Sequence, residues 1–241
     1  MGRVTDNLNS VQTRRALIRS AFVMASGAAV SACVSRSMEI AAAPAPAAAP
    51  APYVPPIPKA PEMVVRNPAS PPGIRPELFK RAVASLNRHS MRIPSHDRIA
   101  IADFTSASSK PRFFLVNMGT GEVESFLVAH GIGSDPEHTG LLHRFSNDVG
   151  SEATCEGTFL TADYYVGKHG DSQRLLGLDP TNNNAFDRAI VVHSAWYANP
   201  DMIGKHGKLG RSQGCFAVGE NELAKVFERL GPGRMIYSAK V

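Results

Sequence analysis

A cysteine and a histidine give this sequence its clearest indication of chemistry. Cys215 ends the segment Gly210–Cys215, and His193 lies upstream in the apolar run Ala189–Ser194. A thiol with a pKa of about 8.5 is mostly protonated at neutral pH, so a catalytic cysteine needs a base nearby. The two residues are too far apart in sequence to share one turn and must meet through the fold. Their types favour acyl transfer, with Cys215 as nucleophile and His193 as a candidate base. The alternative from the residues alone is that His193 is a core histidine with satisfied hydrogen bonds.

Two residues just before the cysteine extend the predicted site. Gly214 permits an unusual backbone conformation and a close approach of substrate. The backbone N–H groups around Gly214 and Cys215 could then form an oxyanion hole. Ser212 is a candidate for orienting this loop or contacting substrate.

The sequence predicts no metal site and no cofactor. It contains no CxxC pair and no HxxxH or HExxH spacing of the kind that binds zinc. Asp103, Asp163 and Glu156 lack the paired spacing of glycosidase carboxylates. Cys155 is predicted to be a small buried residue and not a second nucleophile, with two free thiols in the mature domain.

The charge of the chain argues against nucleic acid as a partner. The formal net charge is +5, but residues 1–32 hold four arginines against one aspartate. The rest of the chain therefore carries only +2, and it has no basic stripe interleaved with aromatic residues.

The amino terminus is typical of an export signal. Paired arginines at 14–15 precede a mildly apolar stretch at 20–30, which is short for a membrane span. Val30-Ser31-Ala32-Cys33 resembles a lipoprotein box, so residues 1–33 are predicted to be an export signal with Cys33 lipidated. The alternative is a plain signal cut near residues 41–43, which would remove Cys33.

Composition divides the remainder into a tether and a catalytic domain. Residues 34–72 are rich in alanine and proline, which favours an extended spacer without a core. Residues 73–241 are predicted to form one domain that includes an amino-terminal helix.

Apolar spacing within that domain predicts a mainly β fold with packed helices, in the α+β class. Helices are expected at 76–89, after a starting proline, and at 220–230, before Gly231. The sheet is expected to be mostly antiparallel, with a hairpin turning at 119–121. Strands are predicted at 98–104, 112–117, 122–130, 157–161, 189–193 and 235–238.

Several blocks of sequence, in order, resemble the L,D-transpeptidase catalytic domain family of bacterial cell-wall enzymes. The likeness runs from about Arg98 to Ser238 and is more specific than the cysteine segment alone. The blocks are Ile101-Ala102-Asp103-Phe104, Val128-Ala129-His130-Gly131, Arg144-Phe145-Ser146-Asn147, Tyr165-Val166-Gly167-Lys168-His169-Gly170, Leu175-Leu176-Gly177-Leu178, Arg188 to His193, and Leu209 to Cys215.

The resemblance implies an L,D-transpeptidase-like β-sandwich domain and a peptidoglycan substrate. In that family the cysteine at position 215 attacks a carbonyl in a tetrapeptide stem, expels D-alanine and forms a thioester. The histidine at position 193 acts as base, and an amine of a second stem resolves the thioester. The implied partners are peptidoglycan stem peptides, with membrane contact only through the lipid anchor. The implied location is the periplasm, with the protein exported and held by that anchor.

The resemblance also suggests further site residues. Arg211 is predicted to bind a carboxylate of the stem, with a surface salt bridge as the alternative, and His130 to line or orient the cleft. Tyr165, His169 and Trp196 could line a groove, although aromatic residues near the surface of a β domain more often pack. The better-known branch of the family has histidine and arginine where this chain has Gln213 and Ala217.

Two other functions fit the same residues. Water instead of an amine at the thioester would give an L,D-carboxypeptidase or an endopeptidase. A non-catalytic wall-binding lipoprotein could keep the fold without the reaction. The presence of both Cys215 and His193 favours an enzyme.

Overall fold

A computed structural model describes residues 69–241 of the chain. The predicted export signal, Cys33 and most of the predicted tether lie outside the described residues. The helices are α1 (Pro76–Arg88), α2 (Asp201–His206) and α3 (Leu223–Leu230). The strands are β1 (Arg98–Asp103), β2 (Phe113–Asn117), β3 (Val123–Phe126), β4 (Gly157–Gly167), β5 (Gly170–Gly177), β6 (Val191–Ser194), β7 (Phe216–Val218) and β8 (Met235–Ala239).

Helix α1 forms where the apolar spacing predicts it. Pro76 opens the helix, where its missing N–H leaves no hydrogen bond unmade. The buried residues of α1 include Leu78 and Phe79, and they share a hydrophobic cluster with Ile99 and Ile101 of β1. Within residues 69–241, no helix combines the length and apolar character needed to cross a membrane.

All eight strands belong to one hydrogen-bonded sheet, in the order β3-β2-β1-β8-β4-β5-β6-β7. The pairs β1·β8 and β6·β7 are parallel, and the other pairs are antiparallel. The mainly β prediction is therefore confirmed. The β-sandwich is not confirmed, because strand pairing gives a single sheet among the described residues.

Two hairpins connect neighbouring strands. The predicted hairpin joins β2 to β3, and Gly121 at its turn has a φ of 76° that favours glycine. The second hairpin joins β4 to β5 and turns tightly between Gly167 and Gly170. Its strand β4 continues well beyond Thr161, where the predicted strand ends.

Strands β6 and β7 place the two predicted catalytic residues near each other. His193 of β6 is paired with Ala217 of β7, and Cys215 immediately precedes β7. Strand β7 is anchored by Phe216, whose ring lies 5.3 Å from that of Phe159 and belongs to the main hydrophobic cluster. The core thereby fixes the position of Gly210–Cys215, the cysteine loop, against β6.

Candidate functional site

A cavity of about 440 Å³ lies where β6, the cysteine loop and the turn of the β4–β5 hairpin meet. Cys215, His193, Ser212 and Arg211 of the predicted site all line it. Its other lining residues are Tyr165, Gly167, Lys168, His169, Arg188, Ala189, Val191, Tyr197 and Gln213. The fold therefore brings a thiol and an imidazole to one cavity large enough for part of a peptide.

The loop before Cys215 requires glycine at position 214. Gly214 has a φ of 110°, and a Cβ added there would lie 2.8 Å from the Ala153 carbonyl oxygen and 2.8 Å from Ile190. The hydroxyl of Ser212 forms two hydrogen bonds with the backbone of this loop. It donates to the Cys215 carbonyl at 2.7 Å and accepts from the Gly214 N–H at 3.2 Å.

These bonds refine the predicted oxyanion hole. Because the Gly214 N–H already donates to Ser212, it is not free to stabilise a reacting oxygen in this arrangement. The Cys215 N–H is the remaining candidate from the predicted pair. Ser212 itself is buried and acts on the loop through these two bonds.

Cys215 is almost fully buried at the base of the cavity, with 8% of its surface exposed. Its thiol donates to the Ala189 carbonyl oxygen, 3.6 Å from the sulfur. Burial raises the pKa of the Cys215 thiol, although a hydrogen bond from the Val191 N–H and the nearby charges of Lys168 and Arg188 oppose that effect. The thiol therefore keeps its proton in this structure at neutral pH.

His193 has the proton arrangement that a base at this site requires. Its Nδ1 lies 2.8 Å from the Ser194 carbonyl oxygen, which can only accept, so Nδ1 carries the proton in the neutral ring. Nε2 then has a free lone pair. Burial lowers the pKa of His193, which keeps the imidazole neutral at pH 7.

The lining of the cavity is positively charged. It includes Lys168, Arg188 and Arg211, and no aspartate or glutamate is among the described residues that line it. Arg211 donates to the carbonyl oxygens of Asp135 and Pro136. The guanidinium of Arg211 is thus held by backbone carbonyls and not by a surface carboxylate.

His130 is fully buried and does not line the cavity, so its position does not support the predicted contact with substrate. Its Nδ1 accepts from Arg112 at 2.6 Å, and its Nε2 faces the carboxylate of Asp135 at 3.4 Å. Its carbonyl oxygen accepts from the Ser212 N–H at 2.9 Å. His130 therefore supports the cysteine loop from inside the domain.

Burial shifts the pKa values of His130 and of its partners Arg112 and Asp135. Burial, together with the charge of Arg112, lowers the pKa of His130 to about 3. Burial also lowers the pKa of Arg112 to about 9, which leaves the guanidinium charged at neutral pH. Although burial alone would raise the pKa of Asp135, hydrogen bonds from Thr139 and Gly140 hold it at about 2. A neutral imidazole thus separates a buried cation from a buried anion.

Arg188 connects the cavity to Cys155. Cys155 and Cys215 are both free thiols among the described residues. Cys155 is fully buried, as expected, and its sulfur accepts from Arg188 at 2.7 Å. Burial raises the pKa of the Cys155 thiol. The environment is that of a structural cysteine.

Lys168 and Arg188 were not predicted as site residues, and His169 was predicted only as a possible groove residue. Lys168 and His169 reach the cavity because the β4–β5 hairpin turns above it. The glycines at 167 and 170, which bracket these two residues, were the sequence feature that could have indicated this turn. Trp196 lies outside the cavity lining and is 65% exposed. Within residues 69–241, no group of side chains is arranged to hold a metal ion.

The geometry defines a cysteine–histidine site in a mainly β domain. A family model described as L,D-transpeptidase catalytic domain matches residues 70–238, most of the chain. The chain therefore belongs to the L,D-transpeptidase catalytic domain family.

Solved structures of low identity were also found. An L,D-transpeptidase from Mycobacterium smegmatis is 16% identical, with 59% of this chain and 58% of that chain covered and a TM-score of 0.36. An L,D-transpeptidase from Stackebrandtia nassauensis is 13% identical, with 68% and 66% covered and a TM-score of 0.37. The helical cell shape determining protein Pgp2 from Campylobacter jejuni is 11% identical, with 61% and 48% covered and a TM-score of 0.40.

The chain thus spans less than two thirds of the length of these structures. No curated protein matches. The family assignment depends on the family model and not on these structures.

Proposed function

We propose that this protein is a peptidoglycan L,D-transpeptidase that forms a thioester on Cys215 and transfers the acyl group to an amine. The observation that supports this most directly is the placement of Cys215 and His193 in one cavity, within a domain of this family. The class of enzyme is accordingly a cysteine acyltransferase.

The first half-reaction forms the thioester. The thiol turns away from the Ala189 carbonyl and gives its proton to Nε2 of His193, and the thiolate attacks the carbonyl carbon of the diamino acid in the tetrapeptide stem. The Cys215 N–H stabilises the oxyanion. The imidazolium then returns the proton to the departing amine of D-alanine, and the C–N bond breaks.

The second half-reaction resolves the thioester. An amine of a neighbouring stem attacks the same carbonyl, and Nε2 of His193 takes the proton of that amine. The C–S bond breaks, and the His193 imidazolium gives the proton to the departing sulfur, which restores the thiol. The product is an L,D cross-link. If water takes the place of the amine, the same intermediate gives carboxypeptidase or endopeptidase activity.

The charge of the cavity fits the proposed donor. A stem ending in D-alanine carries a free carboxylate one residue beyond the attacked carbonyl. Lys168 and Arg211 can attract that carboxylate, and the lining contains no acidic residue to repel it. A substrate without this carboxylate would lose the attraction, so the cavity favours stems with a free end.

The setting of the domain is part of the proposal. We infer that the protein is exported to the periplasm and held by a lipid on Cys33, with residues 34–72 as the tether. Peptidoglycan stem peptides are the partners, and nucleic acid is not. The β-sandwich architecture stays a proposal as well.

Incubation of the purified protein with disaccharide-tetrapeptides, followed by mass spectrometry, tests the function. We expect loss of D-alanine and formation of L,D cross-linked dimers. Cys215→Ala should abolish both, and His193→Asn should slow them by about 100-fold or more, as for the loss of a general base. Cys155→Ala, which removes the other thiol of the described domain, should retain activity. Shortened stems without dimers would indicate hydrolysis, and unchanged stems would overturn the proposal.

A further inference from the structure

His169 lies directly against the predicted base. It occupies the turn of the β4–β5 hairpin, and its ring is stacked on that of His193 with 4.4 Å between centroids and 21° between planes. His169 itself is exposed, whereas His193 is only 1% exposed although it lines the cavity. The hairpin turn therefore contributes to the burial of the base.

We propose that His169 is a positioning residue that caps His193 in its neutral form and, when protonated, opposes transfer of the Cys215 proton to His193. The inference depends on the cysteine–histidine pair of the proposed function and assigns the pair a third member. It concerns the proton step alone: the S–H bond of Cys215 breaks, Nε2 of His193 gains the proton, and a thiolate and an imidazolium result.

Contact geometry supports the capping role. The Nδ1 edge of His193 is fixed by the Ser194 carbonyl, and one face of the ring is covered by His169. The ring thus keeps one tautomer and one orientation while Nε2 stays available. A cover on the face of the ring also excludes water, which is consistent with the lowering of the pKa of His193 by burial.

The charges around the pair explain why protonation of His169 matters. The titratable groups that line the cavity are Tyr165 of β4, Lys168 and His169 of the hairpin turn, Arg188 before β6, Tyr197 after β6, and Arg211, Cys215 and His193. None of them is a carboxylate. A second positive charge stacked on an imidazolium is therefore not neutralised by any acidic group among the lining residues, and repulsion at this short distance is strong.

The effect has a definite sign, because a protonated His169 would lie 4.4 Å from the ring of His193, which becomes positively charged when it accepts the proton of Cys215. A positive His169 would attract the thiolate weakly and repel the adjacent His193 imidazolium strongly. The ion pair that starts the reaction is then disfavoured. Burial and the charge of Lys168 lower the pKa of His169, so this occurs on the acid side of pH 6.5.

Two substitutions at position 169 should shift, in opposite directions, the pH below which the reactivity of Cys215 is lost. His169→Phe keeps a stacked ring but cannot be protonated, so reactivity should persist to lower pH. We expect its rate at pH 5.5, relative to pH 7.5, to exceed that of the wild type by about threefold or more. His169→Ala removes the ring that covers His193, so the pKa of His193 should rise. Because a protonated His193 cannot accept the proton of Cys215, the reactivity of Cys215 should then be lost at a higher pH than in the wild type.

The measurement is acetylation of Cys215 by p-nitrophenyl acetate, followed from pH 4.5 to 8 on the full-length protein. Peptide mass spectrometry assigns the acetyl group to Cys215. The ester needs no peptidoglycan, so the result is independent of the natural substrate. His96→Phe, at an exposed histidine outside the cavity lining, is the matched control and should leave the profile unchanged.

The outcomes separate the two proposals. Opposite shifts for the two variants support the inference, even if the protein fails to process muropeptides. Superimposable pH profiles for wild type and both variants would overturn it while leaving the proposed function intact. A uniform loss of rate at every pH in both variants would indicate a purely structural role, and absence of acetylation at Cys215 in the wild type would overturn both proposals.

Discussion

At the scale of single residues, Gly214 is where backbone geometry and chemistry are most closely connected. Its positive φ and its close contact with the Ala153 carbonyl leave no room for a side chain. Its N–H donates to Ser212, which in turn holds the Cys215 carbonyl. The direction of the thiol is therefore fixed by a position whose own residue has no side chain.

Gly214→Ala should reduce activity by about 100-fold or more, because the added methyl forces the loop to move by a distance that reaction geometry does not tolerate. Gly150→Ala is the matched control. Gly150 also has a positive φ, of 83°, but a Cβ there meets nothing within 4 Å. We expect it to cost about 1 kcal/mol of stability and to keep activity. Equal activity of both variants in the muropeptide assay would contradict this account.

At the scale of elements, the helices and strands with regular apolar spacing could be predicted from the sequence. Helix α1 and strands β1, β2 and β8 lie where the pattern placed them, because each buries a continuous apolar face. Strand β5 was missed because most of its residues are polar or glycine, and β7 because it has only three residues. Strands β5 and β7 lie on either side of β6 in the sheet. Because neither strand was predicted, the residues around the cavity could not be predicted either.

The same limit applies to the site. Cys215 and His193 could be proposed as site residues because a thiol and an imidazole can carry acyl-transfer chemistry, and the resemblance indicated which histidine to propose. The burial of His130 could not be predicted, because its partners Arg112 and Asp135 reach it through tertiary contacts. The stacking of His169 on His193 likewise depends on the length of the β4–β5 hairpin.

One arginine links the segment before β6 to the loop that precedes β4. Arg188 donates to the carbonyl oxygens of Ser146, Ser151 and Ala153 and to the sulfur of Cys155. The Ala153 carbonyl is also the group that a side chain at position 214 would strike. Arg188 therefore fixes the position of the segment that contains Ala153, against which the cysteine loop packs.

Arg188→Gln should destabilise the domain by about 2–4 kcal/mol, because several carbonyl groups lose a charged donor and a glutamine can replace few of those bonds. Urea unfolding measures the loss. Arg81→Gln is the control, since the ion pair of Arg81 with Glu77 on α1 is exposed. That change should alter stability by about 0.5 kcal/mol or less. A similar small loss for Arg188→Gln would refute the assigned role.

At the scale of the whole molecule, a buried polar group joins segments that are distant in sequence. Arg112, next to β2, donates to the Val128 carbonyl and to His130. Asp135 faces His130 on the other side, and Arg211 donates to the carbonyl of Asp135. This chain of contacts runs from the sheet to the cysteine loop, so the stability of the domain and the order of the site are linked.

The linkage predicts that acid destabilises the domain through His130. In the unfolded chain this imidazole is protonated near its ordinary pKa of 6.5, but in the folded protein only near pH 3. Between these values the unfolded state binds more protons, so acid favours unfolding. The stabilisation from this residue is complete above pH 6.5 and disappears as the pH falls to about 3.

Urea unfolding of the wild type and His130→Asn at several pH values tests this. From pH 6 to 4.5, the free energy of unfolding of the wild type should fall more steeply than that of the variant, by about 1.4 kcal/mol per pH unit. Asparagine can still accept from Arg112, which favours folding of the variant at neutral pH. If the variant does not fold, NMR of the wild type decides, because the His130 ring signals should not titrate above pH 4. Titration of that ring near pH 6.5 would show that the imidazole is not held neutral by the fold.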